Sequence, residues 1–227
     1  MTYFTSAVIL AAGKATRMTA VDNKQTAVLA GKTVIARTIE AFEMAKTIQQ
    51  IVLVAGEETA AHVKTLNFKK LATIVPGGSC REESSRIGLQ NADPRTEFVA
   101  IHDGARPFIT SEEIDEAVLL AHRTRAVCCG TRPKDTVKQI DENGTVIQTP
   151  DRNRLFTAAT PQIFRKKEIL SAMEKEPDLS KFTDDCSIAE KHKIPVTTFL
   201  CSYQNIKITT NEDLLLAELL LSGEKQP

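Results

Sequence analysis

Short apolar runs alternate along this chain with stretches whose apolar residues recur every three or four positions. Residues 7–10, 51–54, 72–75, 98–101 and 126–130 are brief, largely aliphatic runs, the length and character of buried strands. Between them the spacing turns helical. Ile35, Ile39 and Phe42 repeat on one face of a helix starting at Thr33, and further helices are predicted over 60–66, 82–90 and 114–122. Thr110 with Glu113 forms a capping box ahead of the last of these. Strands that are apolar on both faces, joined by helices, predict an α/β fold with a mostly parallel sheet covered by helices on both sides.

The alternation breaks near residue 134. Residues 137–140 and 145–147 read as two strands joined through Asp141-Glu142-Asn143-Gly144, and the Asn-Gly pair predicts a type I′ turn. A hairpin inserted in an α/β chain is either a surface flap or an arm that reaches a partner subunit. Beyond it the pattern predicts helices over 166–176 and 184–191 and a strand over 196–200. It also predicts a strongly apolar helix over 211–221, expected to pack on the sheet. With no repeat or linker, the expectation is one domain over 1–227 with an arm at about 134–156.

Composition narrows the function classes. Lysine plus arginine equals aspartate plus glutamate at 29 each, so no net field attracts nucleic acid or membrane, and a local basic cluster suits a small anion. Five cysteines without CxxC spacing read as small buried hydrophobes rather than a disulfide framework or zinc site, and four scattered histidines add no metal pattern. No apolar stretch approaches the roughly 18 residues of a membrane span, and the expectation is a cytoplasmic chain.

The chemistry is carried by segments that follow the apolar runs. The first run leads into Ala11-Ala12-Gly13-Lys14-Ala15-Thr16-Arg17-Met18, then Asn23-Lys24-Gln25. Small residues at the carboxyl end of a first strand let backbone N–H groups approach phosphate, and Arg17 and Lys24 add a forked donor and a point charge. The same loop read alone is equally a solvated turn; it has neither the GK[ST] ending of a phosphate loop nor a GxGxxG fingerprint. Pro76-Gly77-Gly78 with Arg81, Ser84 and Gly88 follows the third run, and His102-Asp103-Gly104-Ala105-Arg106-Pro107 the fourth. Thr160-Pro161-Gln162, Thr183-Asp184-Asp185 and Asn205-Ile206-Lys207-Ile208-Thr209 come later. Asp103, at a strand end beside a glycine turn, is the better ligand contact. His102 reads as structural, and Arg106 fits either a ligand contact or an ion pair.

These pieces in this order, AAGxxxRM, NKQ, PGGxxRxxS, HDGARP, KDTVK, DRNRLF with TPQ, TDD and NIKIT, resemble the 2-C-methyl-D-erythritol 4-phosphate cytidylyltransferases over nearly the whole chain. The resemblance implies a Rossmann-like nucleotide-binding sheet with a β-hairpin dimerisation arm, and transfer of CMP from CTP to the sugar-alcohol phosphate. It implies that Ala11, Ala12 and Gly13 border the nucleotide and that Gly78 and Ser84 meet the cytosine edge. Arg17 and Lys24 would hold the triphosphate, and Asp103, Arg106, Thr160 and Lys207 would line the acceptor pocket, with Asp103 also near the nucleotide. Thr136 and Arg152, on the arm, would reach the partner's acceptor site. The catalytic set is then Arg17, Lys24, Arg152 and Lys207, with Mg²⁺ held mainly by phosphate oxygens rather than by protein ligands. Ala15, Ser79 and Gln204 depart from the family's usual residues. A ribitol 5-phosphate cytidylyltransferase and a silent nucleotide-binding subunit are the rival readings. A nicotinamide dehydrogenase is disfavoured by the missing glycine fingerprint and by Ala55-Gly56 where an acidic residue would stand.

Overall fold

The computed structural model of the chain describes residues 3–13 and 23–223. In chain order the elements are β1 (Thr5–Ala11), the short β2 (Val28–Leu29) and β3 (Lys32–Thr33), α1 (Val34–Met44), β4 (Gln50–Ala55), α2 (Glu57–Lys64), β5 (Leu71–Val75), α3 (Arg81–Gln90), β6 (Phe98–Asp103), α4 (Ser111–Thr124) and β7 (Ala126–Thr131). They continue with β8 (Gln139–Ile140), β9 (Val146–Gln148), β10 (Thr157–Arg165), α5 (Lys166–Glu174), α6 (Asp185–Lys191), β11 (Thr197–Leu200) and α7 (Asn211–Gly223). Seven strands form the main sheet in the order β11-β7-β10-β6-β1-β4-β5. All neighbours pair parallel except β10, which runs antiparallel to both β6 and β7.

The period of two along each central strand divides the interior into two cores. Ala7, Ile9 and Ala11 of β1 face Ile35, Ile39 and Phe42 of α1, on the side also covered by α2 and α4. Val8 and Leu10 face the other way, toward Leu89 of α3 and the inner faces of α5 and α6. Every residue of β1 is buried, which is why its stretch from Ala7 to Ala11 reads as an unbroken apolar run. A fully buried Ile, Leu or Val contributes on the order of 1.5–3 kcal/mol, so these two layers dominate the stability. The same alternation in β6 turns His102 toward Phe42, with ring centroids 5.0 Å apart, and Asp103 toward α3.

Expected and observed elements agree within a few residues, and the capping box of Thr110 and Glu113 is present at the start of α4. The short β2–β3 ribbon has no signal in the pattern, and three further features differ. Strand β10 was not expected, because a proline sits in its polar first half; the pairing with β7 shifts register between Ala158 and Gln162, where Pro161 needs no ladder bond. The arm turn is not type I′. Gly144 alone takes a positive φ of 82°, its N–H donates to the Asp141 carbonyl at 3.1 Å, and the Asp141 carboxylate accepts from the N–H groups of Asn143 and Thr145. This is a type I turn followed by a left-handed bulge residue, favoured because the aspartate caps the turn amides. Finally, α7 does not lie on the main sheet. It buries Ala217 against Ala27, Leu29 and Val34 beside the β2–β3 ribbon and leaves Leu215 and Leu219 exposed. The five cysteines are free thiols, four of them buried. Among the described residues no helix is long and apolar enough to cross a membrane.

Candidate active site

Parallel strands bring their carboxyl ends to one edge of the sheet, and the loops leaving β1, β5 and β6 meet there. They enclose a cleft of about 430 Å³. Ala12, Gly13, Lys24, Gly78, Ser84, Asp103 and Lys207 all line it, although they span most of the chain. Ala11 is the last, buried residue of β1. Arg17 lies outside the described residues.

Asp103 is the electrostatic centre. Its carboxylate lies 2.9 Å from Lys207 Nζ, 3.3 Å from Arg81 Nε and 3.4 Å from Arg106 Nε. Burial opposes ionisation of Asp103, but the charges of Arg81, Lys207 and Arg106 hold its pKa well below the usual carboxylate range. Behind it, the Asp103 N–H donates to Thr160 Oγ1 at 3.0 Å, and Thr160 Oγ1 meets His102 Nδ1 at 3.1 Å. His102 Nε2 meets the Arg106 carbonyl at 3.2 Å. A carbonyl only accepts, so Nε2 carries the proton; burial lowers the His102 pKa to about 4, and the neutral ring accepts the Thr160 hydroxyl through Nδ1. His102 is therefore structural: it orients Thr160 and does not enter the cleft. Thr160 is 3% exposed, with its hydroxyl engaged on both sides.

Arg81 stands in the PGGxxRxxS segment with no role evident from the sequence, and it proves central. It opens α3, where the helix dipole disfavours a cation, and that mismatch was the available signal of an acidic partner. Its Nη1 lies 2.8 Å from Asp185 Oδ2 and its Nε faces Asp103, so it ties α3 to α6 and to the end of β6. Burial works against its charge, yet Asp185 and Asp103 hold its pKa above the ordinary arginine value. Burial pushes Asp185 up, and the Arg81 pair offsets this only in part.

Ser84 Oγ accepts from Gly78 N–H at 3.0 Å and donates to the Cys80 carbonyl at 2.9 Å, pinning the Gly77-Gly78 loop to the first turn of α3. Ser79, the departure from the family pattern, gives its hydroxyl and N–H to Glu83. Arg106 reaches from Asp103 to the Asn205 carbonyl, with Nη1 at 2.9 Å. Thr136 and Arg152 are exposed on the arm and do not line this cleft within the chain; Arg152 Nη1 donates to the Lys134 carbonyl at 2.7 Å.

Comparison with known proteins matches this arrangement to one group. The sequence profile of the 2-C-methyl-D-erythritol 4-phosphate cytidylyltransferases fits residues 5–223. The chain is 40% identical over 221 residues to the cytidylyltransferase of that name from Clostridium botulinum (strain 657 / Type Ba4), covering 95% of this chain and 96% of the other. It is 37% identical over 224 residues to that of Alkaliphilus metalliredigens, covering 96% and 93%. The crystal structure of 4-diphosphocytidyl-2C-methyl-D-erythritol synthase from Anaerococcus prevotii superposes with a TM-score of 0.85 at 32% identity, covering 97% of this chain and 96% of that one. That of the Francisella tularensis cytidylyltransferase gives 0.78 at 28%, covering 95% and 99%.

Proposed function

Because the chain belongs to the 2-C-methyl-D-erythritol 4-phosphate cytidylyltransferase family, we infer that it transfers CMP from CTP to 2-C-methyl-D-erythritol 4-phosphate and releases pyrophosphate. The observation that carries the reading is the meeting of Lys24 and Lys207 in one cleft at the carboxyl edge of a parallel sheet, where nucleotide ligands bind.

The chemistry asks little of a base. A phosphate monoester has a second pKa near 6, so its oxygen is already an anionic nucleophile at neutral pH. It attacks the α-phosphorus of CTP in line as the bond to the bridging oxygen breaks, and the leaving pyrophosphate takes the electron pair. The obstacle is repulsion between two anions, which positioned cations remove. Lys24 serves the triphosphate, together with Arg17. Lys207 and Arg106 serve the acceptor phosphate: it competes with Asp103 for the Lys207 ammonium, which half-exposure leaves free to turn. Ser84 Oγ has spent its proton on Cys80, so what it offers a base is a lone pair, suited to the amino group of cytosine and not to the carbonyl of uracil.

Mg²⁺ would be held mainly by the triphosphate oxygens and water: Asp103 is the one carboxylate among the described cleft-lining residues, and its oxygens are already engaged by Lys207, Arg81 and Arg106. When bound, the ion neutralises triphosphate charge. The arm supports a homodimer: Ile140, Val146 and Ile147 are 56%, 55% and 59% exposed on a two-stranded ribbon, and such a ribbon is marginal without further packing. A second copy covering it would bring Thr136 and Arg152 to the partner's acceptor pocket. The whole chain would then act as one cytoplasmic nucleotidyltransferase domain carrying its arm at about 134–156.

The test is direct. Purified protein with CTP, Mg²⁺ and 2-C-methyl-D-erythritol 4-phosphate should form a diphosphate (P–O–P) bridge between cytidine and methylerythritol visible by ³¹P NMR, with stoichiometric pyrophosphate. Turnover of ribitol 5-phosphate in its place, with none of the methylerythritol compound, would overturn the acceptor assignment.

A further inference from the structure

We propose that Asn205 is a positioning residue: it holds Lys207 at the mouth of the cleft and thereby sets how tightly the acceptor phosphate is bound. The proposal rests on the role of Lys207 given above. Lys207 lies in a segment, residues 201–210, that has no helix or strand of its own. A lysine ammonium at the end of four rotatable bonds is placed only as well as the backbone beneath it. That backbone is tethered on both sides. After Lys207, the Ile208 N–H donates to the Ala105 carbonyl at 2.8 Å, and the Ile208 side chain is fully buried. Before it, Asn205 makes the attachment: Nδ2 donates to the Thr160 carbonyl at 2.9 Å, and its own carbonyl accepts Arg106 Nη1 at 2.9 Å. One residue thus joins β10, the turn after β6 and the Lys207 segment.

The amide is not there simply to fill space. Asn205 is 5% exposed and its Oδ1 has no hydrogen-bond partner. A buried unpaired acceptor is destabilising, and an aliphatic side chain of similar size would avoid it. What such a side chain could not do is donate to the Thr160 carbonyl. The donor function, kept together with an orphaned acceptor, is what the geometry assigns to Asn205.

A double-mutant cycle of Asn205→Ala with Lys207→Ala separates positioning from general stability. On the native background, Asn205→Ala should raise KM for the methylerythritol phosphate about tenfold, the scale of one lost hydrogen bond, while KM for CTP changes less than about twofold. On the Lys207→Ala background it should add nothing to the acceptor KM. Should Asn205→Ala be recovered unfolded, Asn205→Leu, similar in size and without the donor, is put through the same cycle. Multiplicative effects on the two backgrounds, or a parallel rise in both KM values, would overturn the proposal. Absence of pyrophosphate release by the unsubstituted protein would instead overturn the reaction assigned to the chain, so the two failures are distinguishable.

Discussion

Arg81→Met would expose how far the site depends on a buried charge framework. The guanidinium is removed while the methylene stem is kept, so the packing of the side chain's apolar part changes little. Asp185, fully buried and 2.8 Å from Arg81 Nη1, loses its cation; Asp103 keeps Lys207 and Arg106. Breaking one side of a buried pair costs about 3–5 kcal/mol, because the remaining charge stays desolvated. The Arg81 side chain is 24% exposed, so water already screens part of the pair and the lower end applies. A loss of about 3 kcal/mol is about two powers of ten in the folding equilibrium. Urea unfolding at pH 7.5, followed by circular dichroism, reads this directly. The pH dependence has a definite sign. Burial already raises the Asp185 pKa, and without Arg81 it rises further. The folded variant then binds a proton that the unfolded chain releases, so its deficit should shrink as pH falls toward 5 and grow toward neutrality. Adding Asp185→Asn removes the stranded charge and should restore most of the stability. A loss below about 1 kcal/mol at pH 7.5, the level of an exposed pair, would refute the argument, as would a double variant no more stable than Arg81→Met.

Other consequences follow from single contacts. A methyl group at Gly88 would run into Val8 Cγ1 and stand 3.0 Å from Val54 Cγ2, so Gly88→Ala should lose about 1–3 kcal/mol by overpacking despite its better helix propensity; an unchanged urea midpoint would contradict this. His102 titrates near 4 when folded and near 6.5 when unfolded, so stability should fall by about 3 kcal/mol as pH drops from 6.5 to 4 and be fully present above that window. An NMR titration placing the His102 ring pKa above 6 would remove that penalty. Lys24→Ala should lower kcat by about 10²–10³ with the fold intact, and near-normal turnover of the purified variant would take Lys24 out of the mechanism.

The arm turn and α7 show where local reading reaches its limit. Asn-Gly permits a type I′ turn, but the Asp141 carboxylate bonds two turn amides and selects the other geometry. The two-residue turn with both φ angles positive occurs instead at Ala30-Gly31, where no such dipeptide signal exists. Helix α7 is apolar over most of its length, and from composition alone belongs on the sheet. Its place is decided by which surface is vacant, and both faces of the sheet are already filled by α1 to α6.

The chain's pattern alone determined the alternating strands and helices, the capping of α4, the two-sided burial of the central sheet and the segments at its carboxyl edge. These follow from side-chain periodicity and backbone preference, which act within a few residues of one another. The three-dimensional fold decided the rest. It converted Asp103 into a carboxylate shared by Lys207, Arg106 and Arg81, spent the Thr160 hydroxyl on His102, and placed Asn205 between β10 and the Arg106 turn. Such contacts join residues tens of positions apart, and their strength depends on distance and on exclusion of water. Both quantities exist only once the strands have been brought side by side.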